Sequence, residues 1–128
     1  MQVSALPVRY DHAVKRGAAW TVAFAFTTSA GAVVSIAADD IHFTIKDALG
    51  GVQQLHKTSL AGAHTNGAGG IATFSLTAAE LTPTGVGVST VVSWVYEVRR
   101  IIGGGVGTPY VWFEGGFDLH PGVGQGVA

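Results

Sequence analysis

Large apolar side chains at Trp20, Val22, Phe24 and Phe26 alternate with the small or polar Thr21, Ala23, Ala25 and Thr27. Strict alternation predicts a strand with one buried face, because successive strand side chains point to opposite sides of a sheet. A slip of one residue would turn four large apolar groups into water, so the register of this strand is strongly specified. The same period recurs downstream. Ile41, Phe43 and Ile45 alternate with His42, Thr44 and Lys46, and Ala72, Phe74 and Leu76 share a phase within a strand from Ile71. Val88 to Ile102 is the longest strand candidate, with Val92, Trp94, Tyr96 and Val98 on one face and Ser93, Glu97 and Arg99 on the other. Shorter or weaker strands are expected at 32–36 and 52–57. The last strand runs from Tyr110 to Leu119, with Val111, Phe113, Phe117 and Leu119 in one phase and Tyr110 and Trp112 in the other. Gly115-Gly116 inside it predicts a bulge or the close approach of another backbone.

Turn signals separate these segments at short intervals, as in a sandwich or barrel rather than alternating strands and helices. They include Thr28–Gly31, the polar corner Asp39-Asp40, Asp47–Gly51, Asn66-Gly67 and the Gly-rich connection Gly103–Pro109. Ser59–Gly70, rich in Gly, Ala, Thr and His, is expected to be a mobile loop. Thr77-Ala-Ala-Glu80 fits a capping box, in which the Thr and Glu side chains each bond the other's backbone amide. With Pro83 to end it, one short helical turn is expected over Thr77–Leu81 and no long helix anywhere. About seven short strands favour an all-β, immunoglobulin-like antiparallel β-sandwich. Its expected core is Trp20, Val22, Phe24, Phe26, Phe43, Ile45, Phe74, Leu76, Trp94, Tyr96 and Phe117. Residues 1–13 read as an N-terminal arm or edge strand, 14–121 as the sandwich and 122–128 as a flexible Gly-rich tail.

Composition sharpens the picture in two places. Charged residues make up 12% of the 128, against roughly 25% in an ordinary soluble domain, and there are 19 glycines. Weakly charged surfaces suit subunit contacts, so neighbouring subunits are expected to cover part of this one. The net charge of −1 gives no electrostatic basis for a nucleic-acid or membrane-surface partner. There is no cysteine, so disulfides and thiolate metal sites are excluded. MQVSALPVRYDH lacks a basic region followed by an apolar run, so no signal peptide is expected, and no apolar run approaches the roughly 20 residues that span a bilayer.

Candidate chemistry is sparse. His12, His42, His56, His64 and His120 are scattered without zinc-ligand spacing. Asp39-Asp40, with Asp47 or Asp11, could offer oxygens to calcium, but the spacing of a calcium loop is absent and such residues commonly bond turn amides. The glycines at 103–107 lead into an aromatic strand rather than the helix N-terminus a phosphate loop requires. No nucleophile elbow or paired-carboxylate motif occurs. Neither an enzyme activity nor a cofactor is expected. Tyr110 and Trp112, if both face outward, would form an apolar patch suited to an interface or to stacking on a sugar.

Taken in order, five segments resemble the small Ig-like domains of tailed-bacteriophage virions, found as short standalone proteins and in baseplate upper proteins. They are Val14-Lys-Arg-Gly17 leading into Trp20–Phe26; Gly31 with Ile41-His-Phe43-Thr-Ile45-Lys-Asp47; Gly70-Ile71 through Leu76-Thr77-Ala-Ala-Glu80-Leu81; Trp94-Val-Tyr96-Glu-Val98; and Gly115-Gly-Phe117-Asp-Leu119-His-Pro121. The chain departs from that pattern at Ala18, where an acid is usual, at Glu97, where aspartate is common, and in the lengthened Ile102–Pro109 hairpin. The resemblance implies a non-enzymatic virion component of the tail, baseplate, neck or capsid surface. Its partners would be other virion proteins and copies of itself. The alternative is a carbohydrate- or host-surface-binding module using Tyr110 and Trp112.

Overall fold

A computed structural model describes residues 8–28, 30–48, 50–82, 91–103 and 109–120. Among these the chain is all-β, with eight strands in two sheets and no helix. The strands are β1 (Val8–Arg9), β2 (His12–Lys15), β3 (Trp20–Ala25), β4 (Asp40–Lys46), β5 (Gln53–Ser59), β6 (Ile71–Leu76), β7 (Val92–Ile101) and β8 (Pro109–His120). The larger sheet has the order β1-β8-β7-β4-β5, with β2 also on β8, and the smaller sheet is β3 with β6. This arrangement is that of a β-sandwich, whose alternating inward side chains form one core.

Of the expected core, Phe24, Phe26, Phe43, Ile45, Phe74, Leu76, Trp94, Tyr96 and Phe117 are buried, while Trp20 and Val22 are half-buried against them. Ile36 and Leu81 are fully buried as well, although neither lies in a strand. Ile36 follows the only trace of the expected strand at 32–36, a single bridge between Thr27 and Val33. Three findings refine the local geometry. Gly115-Gly116 carries no bulge, because Tyr96↔Gly115 and Val95↔Gly116 pair in unbroken register. The bulge falls instead where Val98 faces Phe113 and Arg99 faces Val111, leaving Trp112 without a partner. Ser59–Gly70 makes several hydrogen bonds to the rest of the chain. His64 bridges the Ser59 hydroxyl (2.6 Å) and the Asp39 carbonyl (2.7 Å), Gly62 N–H donates to Ala37, and Ile36 N–H donates to Gly67.

The glycine pair serves the second alternative, close approach. β1 and β2 lie parallel to β8 along its outer edge, with His12↔Phe117 and Lys15↔His120 in register. A Cβ on Gly115 would collide with the backbone carbonyl of Tyr10, and neither backbone can yield cheaply. Gly115→Ala is expected to cost about 1–3 kcal/mol through this overpacking, read from urea unfolding. The capping box forms in full: Thr77 N–H donates to Glu80 Oε1 (2.9 Å) and Glu80 N–H to Thr77 Oγ1 (3.1 Å). Lys57 then pairs with Glu80 at 2.7 Å, tying β5 to the turn. Residues 1–7, Pro83, the start of the expected long strand at 88–90, Gly104–Thr108 and the 122–128 tail lie outside the described residues.

Candidate docking surfaces

Alternation on β3 and β6 points the aromatic residues inward and leaves an outer face of Thr21, Ala23 and Ala25 opposite Ser75, Thr73 and Ile71. Among the described residues no charged side chain stands on that face, and its only side-chain hydrogen bond joins the Thr21 and Ser75 hydroxyls at 3.1 Å. The smaller sheet is two strands wide, so the outer edges of β3 and β6 pair with no described strand. Unpaired edges offer rows of backbone donors and acceptors to another chain. Natural sandwiches commonly blunt such edges with charge or proline, and β3 and β6 have neither.

The opposite outer face, on the larger sheet, is polar. His42, Thr44, His56, Lys46, Glu97 and Arg99 line an open depression of about 330 Å³ around the small Thr44. His42 Nδ1 and His56 Nε2 are 2.9 Å apart, so one ring donates N–H to the other's lone pair. Burial, then His56 and Arg99, hold the His42 pKa below its ordinary 6.5 against the pull of Asp40. Glu97 and Glu114 face each other across β7 and β8, and each has an arginine partner, Arg99 and Arg9 respectively. No group of three or more metal-ligating side chains occurs among the described residues. A hydrated, charge-balanced face of this kind resists burial against another protein far more than the smaller sheet does.

The acidic corners prove to be amide caps. Asp39 Oδ1 accepts from Gly103 N–H (3.0 Å) and Oδ2 from Arg100 Nε (2.7 Å), while Asp40 Oδ1 accepts from Ala61 N–H (2.9 Å). Asp47 and Asp11 accept from Val52 and Gly116 amides, each at 2.8 Å. The four carboxylates thus tie four different turns or edges.

Tyr110 and Trp112 do not form an outward pair. Tyr110 is 51% exposed, but Trp112 packs against the core with its ring 5.1 Å from that of Phe26. The unpartnered position at the bulge breaks the alternation, so Trp112 and Phe113, though adjacent, both reach inward. Arg100 closes over Trp112, its guanidinium carbon 5.6 Å from the ring centre. Other exposed apolar residues sit at the same end of the sandwich as Tyr110, namely Val33, Leu60 and Ile102. No family model matches this chain, and no curated protein matches it.

Proposed function

We propose that this chain is a non-enzymatic structural subunit of a tailed-phage virion, working by docking to copies of itself and to other virion proteins. The observation that carries the reading is the smaller sheet, whose outer face is uncharged and whose two edges are unpaired among the described residues. Docking there would bury small groups with little desolvation cost, and strand addition at either edge would extend the smaller sheet. The low overall charge and the resemblance of the ordered segments to small virion domains support the same reading. An immunoglobulin-like topology fits too: β3 pairs with β6 in one sheet, while β4, β7 and β8 run side by side in the other. Tail, baseplate, neck and capsid surface are all compatible positions.

The test is a charge placed in the middle of the docking face. Ala23→Lys, opposite Thr73, is expected to leave stability within about 0.5 kcal/mol because the position is exposed. Incorporation into particles, measured by mass spectrometry of purified virions, is expected to fall at least about tenfold, the effect of roughly 1.4 kcal/mol at one contact. Normal incorporation would reject the smaller sheet as the docking surface. For the alternative, a sugar-binding module, the inward turn of Trp112 removes one of the two rings of the stacking platform.

A further inference from the structure

Residues 8–15 are attached to the rest of the sandwich in an unusual way. Their ladder runs to β8 alone, and runs parallel, whereas every other strand pair in the larger sheet is antiparallel. Further ties hold the segment, and its Val14 is buried in the core. Tyr96 Oη–H donates to the Tyr10 carbonyl at 2.6 Å, Gly116 N–H donates to Asp11 Oδ1, and the His12 ring inserts among aromatic side chains. The stretch ends where Arg16 N–H and Gly17 N–H donate to the carbonyls of His120 and Leu81.

The imidazole is the unusual member of this set. Its ring centre lies 4.8 Å from Tyr10, 5.0 Å from Tyr96, 5.2 Å from Trp20, 6.1 Å from Phe24 and 6.3 Å from Phe117. Its Nε2 is buried with no hydrogen-bond partner among the described residues. β3 presents Trp20 and Phe24 to it, β7 presents Tyr96 and β8 presents Phe117, none of them charged at neutral pH. The nearby carboxylate is Asp11 on its own segment, already engaged with Gly116. Farther along the segment, Arg9 and Glu114 pair with each other at 3.9 Å. A neutral imidazole tolerates this site; a protonated one would place an N–H donor at the buried Nε2 with no acceptor and a charge partly withdrawn from water.

We propose that residues 8–15 form a detachable edge strand latched by His12, released on acidification so that the outer edge of β8 is bared to a strand from another subunit. The release follows from the geometry around His12, and only the use of the bared edge rests on the docking reading above. Burial lowers the His12 pKa from its ordinary 6.5, and the opposing pull of Asp11 is the smaller effect. The docked strand therefore binds fewer protons than the released one, and docking weakens as pH falls below about 6.5. The equilibrium constant for release grows by up to about tenfold per pH unit until the docked imidazole itself protonates. Tyr96, pushed up to about 12 chiefly by burial and next by Asp11, remains a donor to Tyr10 throughout.

The test is a pH titration of the full chain by amide-resolved NMR, from about pH 7.5 to about pH 5. Amides of His12–Lys15 and their partners on β8 are expected to leave their docked shifts together, while those of β3–β6 and β4–β7 hold theirs. In His12→Phe, which fills the aromatic site without a proton to gain, the segment is expected to stay docked throughout. Docked shifts that persist in the unsubstituted chain at about pH 5 would overturn the proposal. So would an equal transition in His12→Phe, or unfolding of the whole sandwich in the same step. Because the isolated chain is measured, failure of the latch is separable from failure of docking, which the Ala23→Lys variant reports.

Discussion

Phe24→Ala is expected to destabilise the domain by about 3–5 kcal/mol, the range for truncating a fully packed phenylalanine. Phe24 is 5% exposed, and its ring meets those of Phe43 (5.6 Å), Phe74 (6.1 Å), Tyr96 (6.2 Å) and Phe113 (5.1 Å). These partners come from β4, β6, β7 and β8, so one side chain joins both sheets. Truncation forfeits transfer energy and leaves a void that four rigid rings cannot fill without leaving their rotamers. The melting temperature should fall on the order of 10–20 °C. A change of only a degree or two would show that the two sheets are held together elsewhere.

Asp39→Ala carries the second large effect, about 3–5 kcal/mol, through loss of a buried ion pair. The side chains of Asp39 and Arg100 are 6% and 14% exposed, and their charges meet at 2.7 Å. Removing the carboxylate strands the Arg100 guanidinium, releases the Gly103 amide, and loosens the cation seated over Trp112. The cost is the penalty of an unpaired buried charge rather than the net worth of the bridge. Arg100→Met in the Asp39→Ala background should therefore recover part of the loss. Additive losses in this double-mutant cycle, measured by urea unfolding, would show that the two residues act independently.

Particular residues explain how far the sequence could be read. Phe24, Phe43, Phe74 and Trp94 announce themselves because a half-buried strand must alternate, and alternation is a local property. The Thr77–Glu80 capping box is legible for the same reason, since its hydrogen bonds span three residues. Trp112 defeated the pattern because a bulge is decided by the partner strand's register, so no period within β8 announces it. Ile36 and Leu81 have no periodic neighbours to mark them as core; they are buried because the chain folds back over them. His64 reads as a loop residue, yet it holds the loop by reaching across to the Asp39 carbonyl, twenty-five positions away.

For docking, the uncharged outer face of β3 follows from Thr21, Ala23 and Ala25 alone. That β6 lines up beside it with Ser75, Thr73 and Ile71, and that no described strand closes either edge, is a matter of pairing. The sequence by itself determined the strands β3, β4, β6 and β7, which of their faces are buried and how little charge the chain carries, because period, turn chemistry and composition are properties of neighbours along the chain. Only the tertiary structure decided that β1 and β2 lie parallel on β8, that Gly115 makes room for Tyr10, and that His12 ends up among aromatic rings with a bare nitrogen. Those depend on contacts between positions about a hundred residues apart, and such contacts leave no repeating mark in the order of the residues.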